Sequence, residues 1–489
     1  MATGSAAPSA ESPFADSDLE AIQGIGIAGF KKDHQELIFL TLGSSADAKA
    51  LVGALSQRVA NAEEVADFNE DFSEALHAHG QDPDMKALWT GLGISASGLA
   101  KLGAALSDMT SGPGRDAFVA GMAARSAKTG DVGDSEPSKW LPAFRTKGGV
   151  DAILVVAADD VDQLDHRVVE LIELITHHNA AVVFQERGET LPGEMRGHEH
   201  FGFKDGASQP AIAGYDPAPG PNEPPSVPAG EFVLGYTDAA GPTPPLAPMW
   251  RNGSFLVFRR LVQDVSAFRK LINAPIAGAN PAIPAEMMAA KTLGRWTSGA
   301  PLAKYPSADP GNGHVENDFG YQATDDIGLT VPTWAHIRKA NPRDETQPPP
   351  TTPDDNARRR RMLRRGIPFG PVLPASSQDD GHERGLHFIA LVADLARQFE
   401  FVQKTWLSNE NFPKGAKPPE GGTAYTPPGP GVPGDGPDPV VGEGNPGKAV
   451  QLHQATGTRP VPLNADLVRV TAGEYFFCPS IDALKALST

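Results

Sequence analysis

Four times along this chain a short apolar run leads into a segment of helical periodicity, and that recurrence limits the fold more than any single motif does. Glu36–Leu42 reads Glu-Leu-Ile-Phe-Leu-Thr-Leu, a strand, and passes through Ser44 and Ser45 as caps into a helix over Ala46–Val65. The unit returns at Asp151–Ala157 with a helix over Val161–Thr176, from which the strand Ala180–Gln185 comes straight back. It returns again at Gly253–Arg259 with a helix over Val265–Ile272, and at Leu386–Val392 with a helix over Leu395–Leu407. Repetition of this kind predicts a duplicated α+β architecture, each half a sheet with helices packed on one face. A boundary near Pro242 divides the chain into residues 18–242 and 243–489, preceded by a mobile tail over residues 1–17 that is rich in Ala, Ser, Gly and Pro.

Composition agrees with a packed protein. At 489 residues and 40% apolar content the chain buries a sizeable core, which excludes disorder throughout. The 52 glycines and 46 prolines concentrate locally at Asp216–Pro228, Gln347–Asp355 and Pro413–Gly447, which read as loops or insertions over a compact body. A net charge of -18 repels phosphate backbones and anionic membrane surfaces, so neither nucleic acid nor membrane is an expected partner. The single cysteine, Cys478, rules out an internal disulfide framework. Residues 1–20 lack the basic start and apolar core of a secretory signal, and no apolar run reaches the roughly 20 residues of a membrane span. The expected location is the cytoplasm, with export by another route left open.

Three short segments carry the chemistry. Gly202-Phe203-Lys204-Asp205-Gly206 sets one carboxylate in a glycine frame, where the backbone can approach a flat ligand closely. An ordinary aspartate, with a pKa of about 3.9, is ionised and able to accept a proton even in mild acid. Ala335-His336-Ile337-Arg338 lies on a short helix stopped by Pro342, a position from which an imidazole can aim one nitrogen at a metal while a carboxylate or carbonyl holds the other. Arg364-Arg365-Gly366-Ile367-Pro368-Phe369-Gly370 joins a fixed cation to apolar and turn residues that draw it inward. Each segment alone also has a plainer reading: an Asx-turn aspartate, a surface histidine beside Arg338 and Lys339, and a solvated arginine run continuing Arg358–Arg361. Gly197-His198-Glu199-His200 offers a separate H-x-H pair of the kind that binds zinc, which would make the chain a metal hydrolase.

In order and content the three segments resemble the signature stretches of the dye-decolorising peroxidases. The likeness extends to Ile22-Gln23-Gly24-Ile25, Gly385-Leu386-His387-Phe388-Ile389-Ala390 and Phe401-Val402-Gln403-Lys404-Thr405-Trp406, and so covers most of the chain outside the Pro/Gly-rich insertions. The resemblance implies two ferredoxin-like halves, each an antiparallel sheet with helices, forming a β-barrel-like body that holds one haem b, mainly in the C-terminal half. By the same resemblance Asp205 is the distal acid/base, Arg364 (or its neighbour Arg365) the distal cation and His336 the iron ligand. It also matches Arg343 to a position that pairs with a haem propionate, Leu386 and Phe388 to the pocket wall, and Gly206 and Arg338 to the cofactor-binding set. Asp394 is the candidate for the carboxylate behind His336.

The implied activity is reduction of hydrogen peroxide coupled to one-electron oxidation of phenols, aromatic dyes or a reduced metal ion by a monomer or homo-oligomer. Asp205 would move a proton from one peroxide oxygen to the other while Arg364 steadies the departing charge. Donors too bulky for a buried cofactor would hand over electrons through aromatic side chains, with Trp406, Tyr425 and Tyr475 as candidates. A haem carrier using the same pocket without turnover is the alternative from a different functional class.

Overall fold

The computed structural model describes residues 12–79, 85–109, 112–220, 223–346, 357–413 and 434–489. Its frame is a nine-stranded sheet built twice over. In the N-terminal half β1 (His34–Thr41), β2 (Leu88–Ile94), β3 (Ala152–Ala158) and β4 (Ala181–Glu189) lie in the antiparallel order β4-β1-β3-β2. In the C-terminal half β5 (Ser254–Gln263), β6 (Leu363–Arg364), β7 (Ile367–Phe369), β8 (Gly385–Val392) and β11 (Val468–Cys478) lie in the order β11-β5-β8, with β6 and β7 both paired to β8. Numbered within its own half, each set runs fourth, first, third, second, which is the ferredoxin-like order that the family resemblance implies. A separate hairpin joins β9 (Lys448–Gln454) to β10 (Gly457–Leu463).

The halves join where Phe477 of β11 pairs with Ile94 of β2. Gly93 makes that approach possible, since a Cβ there would stand 2.9 Å from both Ile153 and Phe476. Across the interior, Phe39 of β1 packs against Phe258 of β5 at 4.7 Å and against Phe144 at 5.0 Å, so one core serves both halves. β3 reads Ala-Ile-Leu-Val-Val-Ala-Ala and is buried along its whole length, as a strand covered on both faces must be. One of those covers is the helix Val161–His177, whose Leu164, Val168, Leu171 and Ile175 form its buried stripe and whose Asp160 caps it through the Gln163 N–H.

The free edges β4 and β7 curl toward each other without a hydrogen-bonded ladder among the described residues, so the barrel-like body stays open at this seam. Side chains hold it instead. Glu186 of β4 accepts from Nε and Nη2 of Arg260 at 2.7 and 2.8 Å and lies 2.7 Å from Nε2 of His387. Burial alone would raise the Glu186 carboxyl, but the His387 hydrogen bond and the Arg260 pair outweigh it and hold the group at about 2.

Several expectations need correction. The single helix over Ala46–Val65 is two, Ser45–Ser56 and Ala62–His79, because Asn61 and Glu64 cap each other's backbone N–H groups and start the second. The expected tail ends early, with Phe14 buried against Tyr236 at 4.6 Å and a helix beginning at Asp16. The helix expected over Leu395–Leu407 is present but wound as π-helix through Ala396–Glu400 and Val402–Leu407. Gln347–Asp355 lies outside the described residues. So does most of Pro413–Gly447, whose described end is not an open loop: Asp438 and Asn445 are fully buried.

The seam gives a pH prediction. A carboxyl held near 2 instead of 4.5 contributes stability that is complete above pH 4.5 and is lost as the pH falls through 2. Glu186→Gln is therefore expected to lower the unfolding free energy at pH 7 by on the order of 2 kcal/mol, discounted for partial solvent access, and to converge with wild type by pH 2. Denaturant titrations at several pH values read this directly; a gap that stays constant down to pH 2 would contradict it.

Candidate active site

A cavity of about 300 Å³ opens between the Asp205 turn, the short helix His336–Ala340, the strands β5, β6 and β8, and the π-helical segment. Leu386 and Phe388 alternate on one face of β8 and line it, while His387 between them points to the Glu186 seam. Gly206, Phe203 and Phe399 add to its walls.

His336 begins its helix, and its Nδ1 stands 2.7 Å from Oδ2 of Asp438, whose side chain is fully buried. An ionised carboxylate offers only acceptors, so Nδ1 carries the proton and Nε2 is left with its lone pair for the cavity. Asp438 is itself fixed: Oδ1 accepts the Val440 N–H at 2.7 Å, and its carbonyl accepts from Asn445 Nδ2 at 3.1 Å. The same stretch is strapped to the histidine segment twice more, by Thr333 Oγ1 donating to Asp435 at 2.6 Å and by Trp334 Nε1 donating to the Gln451 carbonyl at 2.8 Å. Asp394, expected behind the histidine, instead caps the π-helical segment through the N–H groups of Ala396 and Arg397. The carboxylate role passes to Asp438. Sequence reading missed it because it sits in the Pro/Gly-rich stretch; the apolar pair Val440-Val441 just after it was the available sign of burial.

Asp205 occupies a tight turn bracketed by Gly202 and Gly206, whose φ values of 96° and 70° lie in the left-handed region that glycine tolerates best. Its Oδ1 accepts the Gly206 N–H at 2.6 Å, and its own N–H donates to the Gly197 carbonyl at 2.9 Å. Arg364 is tied to the same loop. Its Nη2 donates to the Ser208 carbonyl at 2.9 Å, and its backbone exchanges two hydrogen bonds with the Gln209 side chain. Burial depresses the Arg364 guanidinium, and the nearby Asp205 carboxylate opposes that shift. Arg365, just past the end of β6, faces away and donates to the Ile27 carbonyl at 2.7 Å, so Arg364 is the member of the pair that lines the cavity.

Two more guanidiniums join it. Arg343, at φ 55°, donates to the Asn317 carbonyl at 2.6 Å and stacks on Phe319 at 3.8 Å. Arg361 also donates to the Ser208 carbonyl, at 3.2 Å, and burial, with Arg364 and Arg343 adding to it, pushes its guanidinium down to about 9. Most of the arginine run expected in solvent is thus drawn inward, with Arg359 and Arg360 buried as well, while Arg358 stays exposed. Arg338 is not brought to the cavity: it is fully buried, stacks on Tyr321 at 4.7 Å and donates to the carbonyls of Val331 and Asp325. Its neighbour Lys339 is buried too, bound to the carbonyls of Trp406, Asn409 and Phe412, so the surface-histidine reading fails along with these flanking charges.

His198 and His200 do not share a metal: the first contacts the Arg196 carbonyl and the second the Phe369 carbonyl. Among the described residues no group of three or more His, Cys, Asp or Glu side chains could hold a metal ion. Trp406 and Tyr475 are buried, and Tyr425 lies outside the described residues. Among the described residues no helix is long and apolar enough to cross a membrane.

The donor set fits a haem. One imidazole nitrogen with a buried carboxylate behind it suits an iron, apolar walls suit a porphyrin face, and clustered guanidiniums inside a chain of net charge -18 suit acidic ring substituents.

Comparison with known proteins points the same way. Residues 21–192 match the family model of the DyP dimeric alpha+beta barrel domain. The chain is 32% identical to the dye-decolorizing peroxidase AauDyP1 of Auricularia auricula-judae, over 98% of this chain and 88% of that protein. It is 29% identical to the multifunctional dye peroxidase DyP2 of an Amycolatopsis species, over 96% of each. Among solved structures it matches an ancestral D-type dye decolorizing peroxidase with a TM-score of 0.78 at 30% identity, covering 96% of this chain and 99% of that one. The fungal enzyme from Auricularia auricula-judae superposes with a TM-score of 0.75 at 29% identity, covering 96% of this chain and 99% of that one. The repeated ferredoxin-like order, the cavity of His336, Asp205 and Arg364, and identity along nearly the whole chain lead to one conclusion: the chain belongs to the dye-decolorizing peroxidase family, whose members work with haem.

Proposed function

We propose that the protein binds one haem b per chain, which His336 would hold through its iron, and uses hydrogen peroxide to oxidise phenols, aromatic dyes or similar one-electron donors. The observation that carries this reading is the His336–Asp438 pair, 2.7 Å apart, opening onto the cavity that Asp205 and Arg364 also line. Bound there, the haem supplies the redox centre at which peroxide is reduced and from which donors are oxidised.

The chain's own residues supply the rest. Asp205 takes the proton from one peroxide oxygen and returns it to the other, and Arg364 steadies the negative charge on the departing oxygen. Arg343 would pair with a propionate of the bound haem, Leu386 and Phe388 would supply apolar wall to its ring, and Gly206 would let the turn come close to it. Asp438 holds the His336 proton on Nδ1 and so raises the donor strength of Nε2. Arg338 supports the histidine helix from behind instead of touching the cofactor. A haem carrier would have little use for an acid/base and a fixed cation in one cavity, so the peroxidase reading is favoured. We take the halves to divide near Pro242, and we propose a cytoplasmic location, supported by a lone cysteine that is buried and has no partner for an internal disulfide.

Asp205→Asn is expected to keep its Soret band while the stopped-flow rate of reaction with peroxide falls by roughly 100-fold or more; unchanged kinetics would remove Asp205 from the role. For His336→Ala the haem-to-protein ratio after purification is expected to collapse, and a variant with full haem and an unaltered spectrum would defeat the ligand assignment. Asp438→Asn takes the anionic partner from the imidazole. We expect about 10- to 100-fold weaker haem retention and a more positive iron reduction potential, measured by haem transfer and spectroelectrochemistry. An unshifted potential would count against Asp438.

A further inference from the structure

The Asp205 turn is soft by composition and firm by construction. Its two left-handed glycines, Gly202 and Gly206, leave the backbone many alternatives in the absence of a brace. The brace is a second carboxylate six residues upstream. Glu199 Oε1 accepts the Phe203 N–H at 2.9 Å, Oε2 accepts the Phe201 N–H at 2.9 Å, and the Gln263 amide of β5 donates to the same Oε2. The Glu199 backbone closes the loop again, donating to the Phe203 carbonyl at 3.0 Å and accepting the Gly202 N–H at 2.9 Å. Phe201 and Phe203 then seat on Phe268, with ring centroids 4.6 and 6.1 Å away, which anchors the loop to the helix Val265–Asn273.

We propose that Glu199 is the positioning residue for Asp205: its carboxyl oxygens fix the backbone that aims the acid/base into the cavity, and it acts on the peroxide step through that aim alone. This rests on the assignment of Asp205 above. Three features support it. The donors to Glu199 are main-chain groups of the very turn that carries Asp205, so losing the acceptor strands two N–H groups beside a cavity. Beyond burial, the charge that raises its carboxyl most is that of Asp205 itself, while β5 offers an uncharged amide and the helix an aromatic ring, so among the described residues no ion pair holds Glu199. Finally, small errors in aim are expensive in a proton transfer, a misplacement of about 1 Å costing up to about 100-fold.

The test uses the haem-loaded enzyme and two backgrounds, wild type and Asp205→Asn. For Glu199→Ala we expect amide hydrogen exchange over residues 201–205 to quicken at least about tenfold, with the β5 and β8 amides unchanged. The peroxide step should slow at least about tenfold in the wild-type background and by less than about twofold with Asp205→Asn. Haem content and the rate of donor oxidation should hold. Glu199→Gln, which keeps one of the two acceptor oxygens, should fall between; if the alanine variant does not fold, the glutamine variant carries both comparisons. Unaltered exchange over 201–205 would overturn the proposal, and so would equal slowing in both backgrounds, because Glu199 would then act without Asp205. Should Asp205→Asn alone leave the peroxide step intact, the assignment of Asp205 fails, and with it the proposal that Glu199 aims it; faster exchange in Glu199→Ala would then mark Glu199 as a structural brace only.

Discussion

The site depends on one hydrogen bond across a long stretch of chain. His336 and Asp438 are 102 residues apart in sequence and 2.7 Å apart in space. Without the carboxylate the imidazole could present either nitrogen and rotate about its side-chain bonds; with it, the tautomer and the aim toward the cavity are both set. The strap that delivers Asp438 is rigid because it is pinned at Thr333 and Trp334 as well, so the ligand, its helix and the partner segment form one unit. Lys339, buried on that helix and pushed down to about 7 by desolvation, ties the unit to the π-helical segment on the other side.

Charge is the second constraint. Drawing Arg343, Arg361 and Arg364 to one cavity sets like charges against one another around Arg361, and burial depresses the guanidiniums of Arg361 and Arg364. Backbone carbonyls at Ser208 and Asn317 offset part of that cost through hydrogen bonds. The Ser208 carbonyl also binds Arg361 and Arg364 to the Asp205 loop, so these cations and that turn share one set of supports. On the opposite face of β8 the Glu186 cluster performs a comparable task with opposite charges, drawing together two sheet edges that exchange no backbone hydrogen bonds among the described residues.

The recurring strands and helices were readable because burial on two faces demands continuous apolar runs, as in β3, and an amphipathic helix demands a 3.6-residue stripe, as in Val161–His177. β2, β6, β7, β9, β10 and β11 were not expected from the sequence, and in two of them the pattern is interrupted, by Gly91 and Gly93 in β2 and by Pro460 and Pro462 in β10. Both exceptions have tertiary causes: Gly93 fits the junction of the halves, and β10 pairs with β9 along a short hairpin. The break between the first two helices was decided by the reciprocal cap of Asn61 and Glu64, which periodicity does not register.

By itself the sequence determined the duplicated α+β plan and the three segments that carry an imidazole, a carboxylate and a cation, because local pattern and residue chemistry are enough for both. Tertiary structure alone decided which partner each would have. Opposite side-chain directions sent Arg364, the last residue of β6, into the cavity and Arg365, just beyond it, toward Ile27. The docking of the strap chose Asp438 over Asp394, and burial of the histidine helix turned Arg338 away from the cavity. Those outcomes turn on side-chain direction and through-space distance, and neither quantity exists until the chain has closed on itself.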